Sequence, residues 1–253
     1  MSLFFNTDAG HRLIDNVNLV PEFIGKVTLN PTPIISNDGA ENSYLAYRYS
    51  GVLPPTNGRP YMVFWTLPVS MADMWWWPQD QFGFPGSGLI YTGIDAFFAA
   101  STPAPAVLPE AYVFSLAEIE ISNAPIAVRL WNTAGKLLFD SGKVHLAIQQ
   151  IAAGINVSSI ESSLALPSLP GKPAFLVPSI MRNREYYSSR ASSARFTEWL
   201  ACYRRTGGNV KVKMVETSNF DIPPSNTHGY FEDQTYGNTS GLVLPVIDAS
   251  LYE

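Results

Sequence analysis

The sequence predicts an all-β protein with a β-sandwich-like domain, and three features lead there. Twenty prolines and eighteen glycines divide the 253 residues into short runs, which leaves little room for long helices and suits many short strands. Several of those runs are rich in aromatic and β-branched residues, as half-buried strands are. A tight-hairpin pattern also occurs twice: an apolar stretch, a polar turn ending in glycine and a leucine-containing return. A chain of this length fits one large sandwich or two smaller domains.

The first hairpin is predicted at 3–15, Leu3-Phe4-Phe5-Asn6-Thr7-Asp8-Ala9-Gly10-His11-Arg12-Leu13-Ile14-Asp15. The second is predicted at 129–141, where Leu130-Trp131-Asn132-Thr133-Ala134-Gly135-Lys136-Leu137-Leu138-Phe139-Asp140-Ser141 repeats it with one turn residue fewer. Gly10 and Gly135 are expected to supply the positive φ that such a turn requires. Residues 23–29 read as a strand that Pro31 and Pro33 stop, because proline cannot donate to a ladder. Residues 1–36 thus form a hairpin and an attachment strand.

A β-sandwich domain is expected over 37–217. Aromatic runs at 44–49 and 61–66 are predicted to pair with each other. Residues 67–110 read as a long insertion loop carrying Trp75, Trp76, Trp77, Phe82 and Phe84, and a loop that long is usually functional or held by neighbours. An alternating strand at 111–121 leads into the second hairpin, and a further strand follows at 143–151. Residues 152–172 look like a connecting arm, with a short helix at 158–166 as the alternative. Extended structure resumes at 172–178, and 195–204 is a strand or a short helix. Gly207 and Gly208 then turn the chain into a strand at 210–216. Residues 218–253 read as an extended arm which, with Tyr230, Phe231 and Tyr236, is too apolar to stay free in water.

Composition narrows the function. Hydrophobic residues make up 46% and charged residues only 15%, against roughly 25% charged in typical domains, so partner subunits are expected to cover part of the surface. A net charge of −5 argues against nucleic acid, whose binding relies on Lys and Arg. The arginines at 182, 184, 190, 195, 204 and 205 read instead as facing an acidic neighbour. A single cysteine, Cys202, excludes an intrachain disulfide and reads as a buried apolar side chain. The beginning of the chain has no secretory-signal pattern, and no run reaches the ~18 apolar residues of a membrane span. Synthesis in the cytoplasm without membrane insertion is the expectation, and the sequons at Asn156 and Asn238 are read as chance matches.

No catalytic, cofactor or metal site is expected. His11, His145 and His228 lie on separate elements without ligand spacing. Ser87 lies in a proline-rich loop, with no nucleophile-elbow motif around it. Glycan hydrolysis needs two acids about 5 to 10 Å apart, and nothing selects a pair among Asp73, Asp80, Asp95, Glu110, Glu118 and Glu120. The Trp75-Trp76-Trp77 triplet is the rarest local feature. Side chains alternate faces on a strand, so at least one ring is expected to leave the local core. It would then meet another subunit or a sugar or protein receptor, the alternative being intrachain core. The expected binding and assembly residues are these three together with Phe82, Phe84, Tyr230, Phe231 and Tyr236.

The second hairpin, set between an apolar strand and a further strand, resembles a signature of small tail-tip and tail-fibre-associated proteins of long-tailed, siphovirus-like bacteriophages. That signature reads apolar-x-Asn-x-x-Gly-x-Leu-x-(Phe/Tyr)-Asp-Ser. The N-terminal copy, running on to Phe23-Ile24-Gly25-Lys26-Val27-Thr28-Leu29, is similar to the way such proteins begin, with Arg12 and Asn16 departing from the pattern. The resemblance implies a non-enzymatic, β-rich virion component at the distal end of a tail. Its expected partners are other tail proteins, two further copies in a homotrimer, and a host surface receptor. The rival readings are a carbohydrate- or receptor-binding module using the tryptophans, and a tail-borne glycan hydrolase.

Overall fold

The computed structural model describes residues 5–6, 12–14, 20–32, 45–55, 60–66, 75–83, 90–99, 105–116, 121–155, 162–165, 171–177, 182–188, 194–222, 234–236 and 242–253. Among them the protein is antiparallel β structure with no α-helix. Two short hairpins stand apart from the larger sheets. One pairs β1 (Phe5–Asn6) with β2 (Arg12–Ile14), and the other pairs β10 (Arg129–Trp131) with β11 (Leu137–Asp140). Both lie where the repeated sequence places them.

The smaller of the two main sheets has six strands. They are β3 (Glu22–Val27), β6 (Tyr61–Thr66), β9 (Ala111–Ser115), β12 (Gln150–Ile155), β14 (Pro173–Leu176) and β19 (Leu242–Asp248), in the order β12-β19-β14-β6-β9-β3. The larger sheet has nine. Its main path joins β13 (Ser162–Ala165), β17 (Asn209–Ile222), β16 (Ala194–Thr206), β7 (Trp76–Gly83), β8 (Ile90–Ala99), β5 (Leu45–Val52) and β4 (Asn30–Thr32). Beside that path β15 (Arg182–Ser188) pairs with β16 and with β18 (Gln234–Tyr236).

One apolar core fills the space between the sheets. Val63, Trp65, Val113, Phe175, Leu244 and Val246 of the smaller sheet meet Trp76, Ile94, Ala96, Phe98, Tyr203 and Val212 of the larger. The Trp65 and Trp76 rings lie 5.4 Å apart. The smaller sheet carries a second cluster on its outer face, where Phe64, Tyr112, Phe114 and Ile247 are covered by the 3-10 turn Ala249–Tyr252. The Tyr252 ring is 4.9 Å from Phe114. With both faces covered, all five residues of β9 are buried, so this strand reads as a continuous apolar run rather than an alternating one.

Several expectations are corrected by this arrangement. The segment 67–110, read as an insertion loop, contributes β7 and β8, which pair along their length. The two aromatic runs predicted to pair lie in opposite sheets. β5 pairs with β4 and β8, while β6 pairs with β9 and β14. Tyr47 and Tyr49 of β5 pack against the same core as Val63 and Trp65 of β6, so the runs meet face to face instead of edge to edge. Within the possible helix at 158–166, the described residues 162–165 form β13 instead, which pairs with β17. The predicted strand at 143–151 is reduced to one bridge, Glu22 with His145, before β12 begins. The C-terminal arm is not an appendage throughout, because residues 218–222 extend β17 and β19 lies inside the smaller sheet between β12 and β14. The hairpin at Gly207 and Gly208 forms as predicted, with Gly207 at φ 57°.

Candidate functional site: the second hairpin and the tryptophan face

Each signature residue of the second hairpin has a structural task. Asn132 Oδ1 accepts the amides of Ala134 and Lys136 at 3.0 and 2.8 Å, which closes the turn from inside. Gly135 takes φ 77° and donates to the Asn132 carbonyl at 3.0 Å. Leu137 and Leu138 are buried. Ser141 Oγ accepts the Val128 amide at 2.8 Å. His145 stacks on Phe139 with ring centroids 4.6 Å apart, and its Nε2 lies 2.8 Å from the Asp140 carbonyl oxygen.

Asp140 anchors the module. Its carboxylate accepts the Ser122 and Gly142 amides at 2.8 Å each, the Ser122 hydroxyl at 3.0 Å and Arg129 Nε at 3.0 Å. Burial by itself would raise its pKa. The two amides, Arg129 and the Ser122 hydroxyl outweigh that and hold the carboxyl well below the usual aspartate range. A buried ion so fully coordinated fixes a loop and has no lone pair to spare for chemistry.

This module docks on the edge of the smaller sheet. Phe23 N donates to Val144 O and Leu146 N to Pro21 O, both at 2.8 Å, and Lys143 pairs with Glu22 at 3.3 Å. Leu146 packs on the outer cluster, where Tyr252 Oη accepts the Ala147 amide and donates to the His145 carbonyl. The outside of the module is apolar. Seven of the eleven exposed large apolar residues among the described residues fall between 121 and 151, and Ile126 is 93% exposed. They include Ile121, Val128 and Trp131, the last on the hairpin itself.

The tryptophans are disposed otherwise. Trp76 points into the core, and Trp75 and Trp77 point to the opposite face of the larger sheet, as alternation requires. There they pack with Cys202, Phe97 and Val215. Trp77 stacks on Phe97 at 5.4 Å with the planes 13° apart. The Arg48 guanidinium lies 5.6 Å from the Phe97 ring and pairs with Asp95 at 2.9 Å. Arg204 and Lys213 sit 4.5 and 4.6 Å from the Trp75 ring, so cationic side chains with long stems roof this face. All three rings are buried. The expectation that one of them turns to a neighbour or a receptor is therefore corrected, because this chain covers them itself. Burial also pushes the Cys202 thiol up, which leaves it an inert apolar group as expected.

Of the remaining expected residues, Phe82 lies on β7 opposite Tyr91, beside a bulge, and Tyr236 lies on β18 opposite Arg182. Phe84, Tyr230, Phe231, Gly10, His11 and His228 fall outside the described residues. Among the weighed carboxylates, Asp95 is held by Arg48 and Ser50, and Glu110 by Lys26 and Lys172. The second of these belongs to a network that sequence reasoning missed. Lys172 also pairs with the C-terminal residue Glu253 at 2.5 Å, and the Tyr112 hydroxyl lies 3.1 and 3.0 Å from Glu110 and Glu253. Burial opposes charge on Glu110, yet Lys172 and Lys26 keep its pKa below normal. The partners come from four distant segments, which no local pattern reveals. Among the described residues no group of histidine, cysteine and carboxylate side chains is arranged to hold a metal ion. Comparison with protein-family models, curated proteins and solved structures found no match.

Proposed function

We propose that the protein is a non-enzymatic structural component of a bacteriophage tail tip, baseplate or fibre-attachment region. In this reading it assembles with copies of itself and with other tail proteins, and through them aids adsorption to the host. The observation that carries the proposal is the second hairpin: its tail-protein-like signature is spent on a rigid turn, while the stretch around it exposes seven large apolar side chains. Exposed apolar surface on a rigid support is what a protein partner covers.

The rival readings draw less support. A sugar-stacking module needs open aromatic faces, and Trp75, Trp76 and Trp77 are packed within the chain. A glycan hydrolase needs an acid kept protonated, whereas Glu110 is held below its normal pKa by two lysines. Electron microscopy of intact virions with a gold-labelled antibody against this chain tests the proposal. Label at the distal tail end is expected, and label absent from virions or confined to the capsid contradicts it.

A further inference from the structure

We infer that the outer face of the larger sheet, around the hairpin of β16 and β17, binds an acidic segment of another protein, whose carboxylates meet Arg48, Arg204, Lys211 and Lys213. This face is separate from the segment 121–151, and its partner need not belong to a tail. In a chain with 21 acidic and 16 basic residues, the stretch 201–215 holds four basic residues and no acidic one. The pairing sets these charges in a pattern. Arg48 lies opposite Phe97, Phe97 opposite Trp77, and Cys202 opposite Lys213. Tyr203 pairs with Trp76, so Trp77 comes beside Cys202. These residues form one row across five strands, a cation at each end and apolar side chains between, spanning about 19 Å at four strand spacings. Arg204 and Lys211 face each other in the next row, and Arg204 and Lys213 lie over the Trp75 ring. Arg205 alternates to the other side of β16, where its Nε donates to the Gly207 carbonyl at 3.2 Å. The carboxylate at the Arg48 end is Asp95, 3% exposed and held there by Arg48 and Ser50 at 2.9 and 2.6 Å.

Two donors on the same face point to the chemistry of the occupant. Trp77 is 4% exposed, and its Nε1 is buried with no acceptor among the described residues. The same is true of Arg48 Nε. Both flank Phe97, on which Trp77 stacks and over which the Arg48 guanidinium lies. An indole N–H and a guanidinium N–H can only donate, and a buried donor left unmet is costly. A group that satisfies them brings acceptor oxygens, and beside four cations the favoured oxygens are anionic.

Span and charge then select among anions. A lone phosphate or carboxylate cannot bridge the row, whereas about six extended residues can. Single-stranded nucleic acid and sugar chains stack on open aromatic faces, and Trp75, Trp76 and Trp77 are buried. A net charge of −5 opposes a nucleic-acid duplex. A twofold contact with a second copy would set this basic face against itself. Glu22, Asp95, Glu110, Asp140 and Glu253 are each held by a lysine or arginine of their own chain, so they are not on offer to a copy. An acidic segment of a different protein is the occupant that fits.

Fluorescence anisotropy of a labelled hexaglutamate peptide, titrated with the full chain at low ionic strength, provides the test. Saturable binding that added salt weakens is expected. The double variant Arg204→Gln, Lys213→Gln is expected to weaken it by ~10-fold or more while circular dichroism stays unchanged. No saturable binding overturns the site, and so does wild-type affinity in the double variant. A single-stranded oligonucleotide or heparin that binds more tightly than hexaglutamate at the same salt overturns the choice of a protein segment. Self-association that the double variant abolishes overturns the choice of a different chain. If the double variant unfolds, the indole N–H resonances of the wild type decide. A shift of the Trp77 signal on adding hexaglutamate supports the site, and an unmoved signal overturns it. Antibody label missing from the tail leaves these results as they are, so the two readings fail separately.

Discussion

The tryptophan triplet and the segment 121–151 are the two regions whose sequences most invite a partner, and the fold treats them in opposite ways. Trp75, Trp76 and Trp77 form the rarest local run, yet the chain buries all three, one between the sheets and two under Phe97, Arg204 and Lys213. The hairpin segment looks polar by its turn residues, yet it leaves Ile126, Val128 and Trp131 in the open. Apolar character alone does not mark an interface, because a strand with cover on both faces is the most apolar strand of all. The mark is an apolar side chain beside a turn whose backbone amides are already satisfied.

The strongest test of this contrast is Trp76→Ala. The ring is fully buried and meets Trp65 at 5.4 Å, so a loss of ~3 to 5 kcal/mol is expected, read by urea unfolding and enough to unfold a marginal domain. A loss below ~1 kcal/mol would show that the ring is not core. Asp140 comes next, through pH. Its folded pKa lies below its unfolded value, so the unfolded chain takes up the proton first on acidification. The stability that Asp140 contributes is complete above the ordinary aspartate value of ~3.9 and is lost as the pH falls below it. Amide exchange at Ser122 and Gly142 is expected to speed up through that range in the wild type and to be fast at every pH in Asp140→Ala. Equal protection in the two proteins would remove Asp140 from its anchoring role. The smallest effect on stability belongs to Ile126→Ser, within ~0.5 kcal/mol because the side chain is exposed. Its expected effect is on assembly, measured as weaker incorporation into tails. Normal incorporation would take Ile126 out of the contact surface.

How far the sequence could be read follows from what is local. The turns at Gly135 and Gly207 were legible because one residue must take a positive φ and its neighbours announce it. The strand β19 was hidden in the presumed arm, since its partners β12 and β14 are set by pairing across some 70 to 100 residues of chain. β7 and β8 pair with each other, but the run Trp75-Trp76-Trp77-Pro78 and the Gly- and Pro-containing sequence that follows it resemble a loop until the opposite sheet is in place. Within the site, the Asn132 and Gly135 turn was readable. The Asp140 cage was not, because half of it comes from Ser122, upstream of the hairpin. The ion-pair network of Lys26, Glu110, Lys172 and Glu253 had no local sign of any kind.

Hydroxyl-radical footprinting of the chain, free in solution and within intact tails, measures the central claim most directly. The account predicts that side chains between 121 and 151, Ile126 and Trp131 foremost, lose reactivity in the tail, while Trp75, Trp76 and Trp77 are equally unreactive in both states. Protection confined to other surfaces, with 121–151 as reactive in the tail as in solution, would contradict it.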